Sequence, residues 1–106
     1  MARALINVPA KAVKNEIIEI KTLIQHPMET GYRVGYNGAL IPRDIIDTFV
    51  CAYNGVEVFR ARMSSPIAAN PFLTFTTVAI DSGTISFRWT GDNGFSAEES
   101  VEIAVE

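Results

Sequence analysis

Asn54-Gly55 stands between two β-rich runs, residues 45–53 and 56–63. A type I′ turn needs positive φ at both central residues. Asn-Gly meets that need best, so the pair predicts a two-residue β-hairpin. Such a turn also fixes register, and it predicts Tyr53 opposite Val56, Cys51 opposite Val58 and Val50 opposite Phe59. One face then carries Phe49, Cys51, Tyr53, Val56 and Val58, and the other Ile46, Val50, Ala52, Phe59, Ala61 and Met63. Both are apolar. One must cover the core, and the second either lies under another element or meets another chain.

The rest of the chain is written in the same two-residue period. Residues 2–8 alternate as a first strand that Pro9 stops, and Lys11, Lys14 and Asn15 form a polar turn. Residues 16–25 place Ile18, Ile20 and Thr22 on one face and Ile17, Glu19, Lys21 and Leu23 on the other. Their β-branched side chains favour the pleated surface over a helix. Ser64-Ser65-Pro66 opens an irregular link, and Asn70-Pro71 leads into a strand over 72–80. Residues 84–90 bury Ile85, Phe87 and Trp89 behind a polar face, and residues 96–105 turn Val101, Ile103 and Val105 inward. No window shows useful helical periodicity. The count is seven strands with turn signals at sandwich spacing. We therefore expect a single domain over residues 1–106, an all-β, immunoglobulin-like antiparallel β-sandwich. The Cys…Trp…Cys pattern of antibody domains is absent, so that likeness is architectural.

One long connection interrupts the pattern. Residues 26–43 carry three glycines, two prolines and the only histidine between two strand-like runs. A connection of that length is usually functional or disordered. Met28, Tyr32, Tyr36, Leu40 and Ile41 give it apolar anchors, and Pro27 and Pro42 stiffen its ends, which argues for order. The remainder of the chain reads as a scaffold that presents this loop.

Charge and cysteine usage narrow the function. A formal net charge of −3 argues against nucleic acid as the main partner. Residues 91–106 hold Asp92, Glu98, Glu99, Glu102 and Glu106 with no Lys or Arg. A lone cysteine excludes an internal disulfide. No export signal, membrane anchor or apolar run of membrane-spanning length is expected in this chain. Export in company with a signal-bearing partner remains open.

Side-chain chemistry is sparse. His26 is the one residue that titrates near neutrality unaided, and it reads either as a base or ligand or as a loop histidine bonded to its neighbours. A copper site needs two histidines with a thiolate, and His26, Met28 and Cys51 fall one histidine short. Zinc fails for the same reason. Cys51 lies within Phe49-Val50-Cys51-Ala52-Tyr53, where a free cysteine behaves as a small apolar residue. Arg33 and Arg43 read either as an anion fork or as surface ion pairs with Glu29 or Asp44. There is no phosphate loop, nucleophile elbow or carboxylate pair. No catalytic residue, cofactor site or metal site is expected.

His26-Pro27-Met28-Glu29-Thr30-Gly31, then Leu40-Ile41-Pro42-Arg43, then Ala69-Asn70-Pro71-Phe72-Leu73-Thr74-Phe75 together resemble the SoxZ family. This is the Z subunit of the SoxYZ sulfur carrier of the bacterial sulfur-oxidising pathway. The resemblance implies a non-catalytic subunit in thiosulfate oxidation. It implies pairing with SoxY as a heterodimer, and SoxY carries the intermediate on a cysteine in a C-terminal arm. This chain ends Glu102-Ile103-Ala104-Val105-Glu106, without such a cysteine. The resemblance further implies a periplasmic location reached by co-export. Other enzymes of the pathway would be transient partners. Isolated, the chain is expected to self-associate as a two-fold homodimer. Within that frame His26, Met28, Tyr32, Arg33, Tyr36, Leu40 and Arg43 are candidate partner-docking residues. The alternative is a free-standing immunoglobulin-like protein-binding module, and a third reading is an enzyme that joins His26 to Cys51.

Overall fold

A computed structural model describes residues 3–64 and 69–106. The link expected from Ser65-Pro66 onward, and Ala2 of the first strand, lie outside the described residues. The chain forms β1 (Ala4–Asn7), β2 (Lys11–Ala12), β3 (Ile17–Ile24), β4 (Ile46–Tyr53), β5 (Val56–Arg62), β6 (Phe72–Val78), β7 (Gly83–Gly91) and β8 (Ser96–Val105). A short 3₁₀ turn, Asp92–Gly94, joins the last two strands. The strands build two sheets, β1-β3-β6 and β2-β8-β7-β4-β5, packed as a β-sandwich. The expected fold class holds.

The two-residue alternation does the sorting. Along β3, Ile18, Ile20, Thr22 and Ile24 are buried, while Ile17, Glu19 and Lys21 face out. The large sheet answers with Phe49, Cys51, Tyr53, Ile85, Phe87, Trp89 and Ile103. Phe59 of β5 and Phe75 of β6 stack with centroids 4.2 Å apart and planes 5° apart, closing one side of the sandwich. The Tyr53 hydroxyl donates to the Asp81 carbonyl, tying the end of β4 to the β6–β7 turn. Asn54 and Gly55 have φ of 49° and 84°, the positive pair that a type I′ turn requires.

Three sequence expectations change. First, the hairpin register holds at Tyr53–Val56 but shifts between Cys51 and Ala52, so that Cys51 pairs with Phe59 and Val50 with Arg60. Val58 is the extra residue of a β-bulge, which a period-two reading cannot see. Beyond the bulge Phe59 and Ala61 turn toward the core. A second irregularity, between Ile46 and Thr48 opposite β7, brings Ile46 inward as well. The outer face therefore presents Val50 and Ala52 beside Arg60 and Ser86 instead of a second apolar surface. Second, Lys11 is not in a turn. It pairs with Ala104, and Ala12 with Val105, as a short parallel strand that moves the chain from one sheet to the other. Third, the described residues form eight strands, the seven expected and the two-residue β2.

Cys51 is fully buried, and burial pushes its thiol pKa up to about 12. The thiol is protonated at neutral pH and behaves as a core atom. Native protein should therefore resist iodoacetamide, while unfolded protein labels readily by mass spectrometry. Cys51→Ser should cost roughly 1–3 kcal/mol in denaturant melts, the penalty for a hydroxyl in an apolar site. Rapid labelling of the folded chain would contradict this.

Candidate functional site

The connection between β3 and β4 is an ordered arm with a buried root and an exposed tip. The root begins at His26, which is only 5% exposed. Its backbone is clamped by Asn70, whose Oδ1 accepts the His26 amide at 2.9 Å while its own amide donates to the His26 carbonyl at 2.8 Å. Asn70 holds a left-handed φ of 54°, a conformation asparagine tolerates better than most residues. The His26 ring meets Phe95 edge-on at 4.8 Å. Its Nδ1 accepts the Met28 amide at 3.0 Å, which puts the ring proton on Nε2, 3.6 Å from Asp44. This is a histidine bonded to its neighbours. Cys51 is buried in the middle of β4, and among the described residues no hydrogen bond joins it to His26.

Met28 is 4% exposed, and its sulfur accepts the Ile46 amide at 3.2 Å. A reciprocal pair of 2.8 Å bonds between the backbones of Glu29 and Asp44 then closes the neck. On the outgoing limb Asp92 acts three ways. Its amide donates to the Ile45 carbonyl at 2.9 Å, its Oδ2 accepts the Ile45 amide at 3.2 Å, and its Oδ1 accepts Arg43 at 2.8 Å. Gly91 makes this approach possible, because a side chain there would collide with the Ile45 backbone.

Beyond the neck the arm folds on itself. Ile41 donates to the Arg33 carbonyl and Gly35 to the Ala39 carbonyl, both at 2.8 Å, around a Val34–Leu40 bridge. Tyr32, Val34, Tyr36 and Leu40 project from this small hairpin with exposures of 82%, 57%, 107% and 62%. Arg33 forks onto Glu29 at 2.6 Å.

The seven candidate docking residues thus divide. Tyr32, Tyr36 and Leu40 offer apolar and aromatic surface. His26 and Met28 offer none, since both serve the root. Arg33 and Arg43 are exposed but each is held by a carboxylate, and Arg43 takes Asp92 in place of Asp44. Their bonds hold the Glu29 and Asp92 carboxyls below the ordinary carboxylate range. The arm is therefore close to electrically balanced, which favours the ion-pair reading of the two arginines over the anion fork. Sequence reasoning missed Asn70 and Asp92 as its anchors. The signals were an asparagine before a proline and an aspartate opening a turn, both of which also read as plain turn chemistry.

The Asp92 anchor gives a pH dependence of known sign. A carboxyl whose folded pKa lies below its unfolded value stabilises fully above the unfolded value and loses that contribution as pH falls through the folded one. Wild-type melting temperature should therefore fall faster than that of Asp92→Asn below about pH 4, and the two curves should converge. Parallel curves from pH 7 to pH 2 would show that the carboxylate does not anchor the arm.

Comparison with known proteins places this geometry. Among solved structures the chain is similar to a superoxide reductase (neelaredoxin) from Ignicoccus hospitalis. Identity is 18%, the match covers 97% of this chain and 80% of that one, and the TM-score is 0.72. It is also similar to a CARDB domain from Pyrococcus furiosus solved in complex with di-metal ions, with 16% identity, coverage of 100% and 94%, and a TM-score of 0.56. At these identities the likeness is one of fold. The side chains agree with that limit: among the described residues no three His, Cys, Asp or Glu side chains come together to hold a metal ion. The only histidine uses one ring nitrogen on the Met28 amide. No curated protein matches the sequence. The family model of the sulphur oxidation protein SoxZ matches residues 6–102, from β1 to β8. The match spans the arm, its anchors and both sheets, and the chain belongs to the SoxZ family.

Proposed function

We propose that the chain is the non-catalytic Z subunit of a SoxYZ-type sulfur carrier in thiosulfate oxidation. In this reading it pairs with a SoxY-type subunit as a heterodimer and reaches the periplasm with that subunit. It helps present the sulfur-loaded cysteine arm of SoxY to the enzymes that act on it. The observation that carries the reading is the family match over residues 6–102. The chemistry of the chain is in keeping with it. Cys51 is buried and fully protonated at neutrality, so the sulfur cargo needs a thiol on another chain.

In this proposal the arm is the docking element for those enzymes. A carrier must be accepted by several active sites in turn, so its contact surface has to be accessible and adaptable. The tip meets both needs, with two tyrosines and a leucine on a short hairpin whose root is pinned. Aromatic side chains of this kind supply large contact area at low entropic cost. Because Arg33 and Arg43 are already paired with carboxylates, the docking energy rests on the apolar tip more than on charge steering.

The test is turnover in a reconstituted thiosulfate-oxidising system, beside a pull-down of the pair. Tyr36→Ala combined with Leu40→Ala should lower processing of the loaded carrier at least about tenfold, the effect of losing one good contact residue. The loss should be similar at low and high salt. Arg33→Ala with Arg43→Ala should act mainly through a looser neck and a lower melting temperature. Unchanged turnover in the tip variant removes docking from the arm. Loss of pairing in that variant instead assigns the arm to the subunit interface.

A further inference from the structure

Among the described residues no other element covers the outer face of the three-stranded sheet, and on β3 and β6 its residues follow a symmetric order. Along β3 the outward side chains run Ile17, Glu19, Lys21, Leu23: apolar, acidic, basic, apolar. Along β6 they run Phe72, Thr74, Thr76, Val78: apolar, polar, polar, apolar. The two strands are in register, with Ile17 opposite Val78, Glu19 opposite Thr76, Lys21 opposite Thr74 and Leu23 opposite Phe72. Both sequences are therefore symmetric about the same row, that of Ile20 and Phe75. Ile17, Phe72 and Val78 are 71%, 57% and 41% exposed, although nothing about β-structure requires apolar groups there. Leu5 of β1 extends the Leu23–Phe72 row and is 60% exposed.

We infer that this face is a self-complementary interface for a second copy of the chain. The two-fold axis lies parallel to the sheet and runs across the strands above the Ile20–Phe75 row. It stacks β3 on the β3 of the second copy with directions reversed. Ile17 then covers Leu23 and Phe72 covers Val78. Glu19 faces Lys21 of the second copy, and Lys21 faces its Glu19. An axis along the strands above β3 sets Glu19 on Glu19 and Lys21 on Lys21 and is disfavoured by like-charge repulsion, while one between β3 and β6 sets both charges on threonines and forms no ion pair. Within one chain Glu19 and Lys21 already lie 3.5 Å apart, with their side chains about half exposed. Stacking converts this pair into a four-charge network flanked by apolar rows.

The size of the face sets the strength. Seven residues of β3, seven of β6 and the four of β1, at about 4.8 Å spacing and about 3.3 Å rise, give a footprint near 300 Å². That is well below the roughly 800 Å² per partner of a standard interface, so the dimer is weak. This inference stands apart from the carrier reading, since it follows from one sheet face alone.

Sedimentation velocity of the full chain from about 5 to 500 μM tests it. Wild type should shift from monomer to dimer across that range. Glu19→Lys and Lys21→Glu each set like charges against one another twice, and each should weaken association at least about tenfold. Mixed one to one, the two variants pair Lys with Glu at every position, so the mixture should dimerise within a few-fold of wild type. Both sites are exposed, and matched circular dichroism spectra would show the variants folded. A wild type that stays monomeric to 500 μM, as expected if only a different subunit covers this face, overturns the inference. So does a mixture that remains monomeric while wild type dimerises.

Discussion

Phe49 joins the two sheets. Its ring is fully buried and lies 5.2 Å from Trp89, 5.8 Å from Phe75, 6.1 Å from Phe59 and 6.3 Å from Phe87, so it touches aromatic residues of β5, β6 and β7 from its own place on β4. These rings supply much of the apolar area that offsets chain entropy in a domain this small. The contact set requires that Phe49 and Phe59 point the same way from neighbouring strands. An unbroken hairpin would send Phe59 outward. The bulge at Val58 is what lets both rings enter one core.

The same strand fixes the arm. Just before β4 the backbone of Ile45 is gripped by Asp92, and the amide of Ile46 is taken by the Met28 sulfur. Strand β3 delivers the incoming limb to His26, where Asn70 receives it at the start of β6. Each limb is thus fixed to a different sheet, and the packing of the two sheets sets the position of the neck. A long connection anchored this way loses its closure entropy once, on folding, and is then available to bind with less ordering cost.

Much of this was legible in the sequence. Asn54-Gly55 announced its turn, and the alternation of Ile18-Ile20-Thr22 and of Ile85-Phe87-Trp89 announced the inner faces, because a strand half buried in a sandwich leaves no other option. The bulges were not legible. A bulge adds one residue without a composition signal, and Val58 is as good a strand residue as its neighbours. Strand β2 was hidden because two residues carry no period. In the arm, exposure could not be read from residue type. Met28 and Leu40 look alike in the sequence, yet one is buried by a backbone bond to its sulfur and the other projects at the tip. The arginines were correctly placed on the surface, but their partners were set by which carboxylate folding brought near, and Asp92 is distant from Arg43 in the chain.

The central claim is that the arm has a rigid root and an unsupported tip. Site-resolved amide hydrogen exchange of the full chain measures this directly. The amides of Met28, Glu29, Asp44, Ile45 and Ile46 should be protected to within about tenfold of those in the middle of β4 and β7, because they open only when the sheets part. The amides of Tyr36 and Asn37 at the tip should exchange orders of magnitude faster. A root that exchanges as fast as the tip would mean that the arm is a loosely tethered loop, and the account given for its anchors would be wrong.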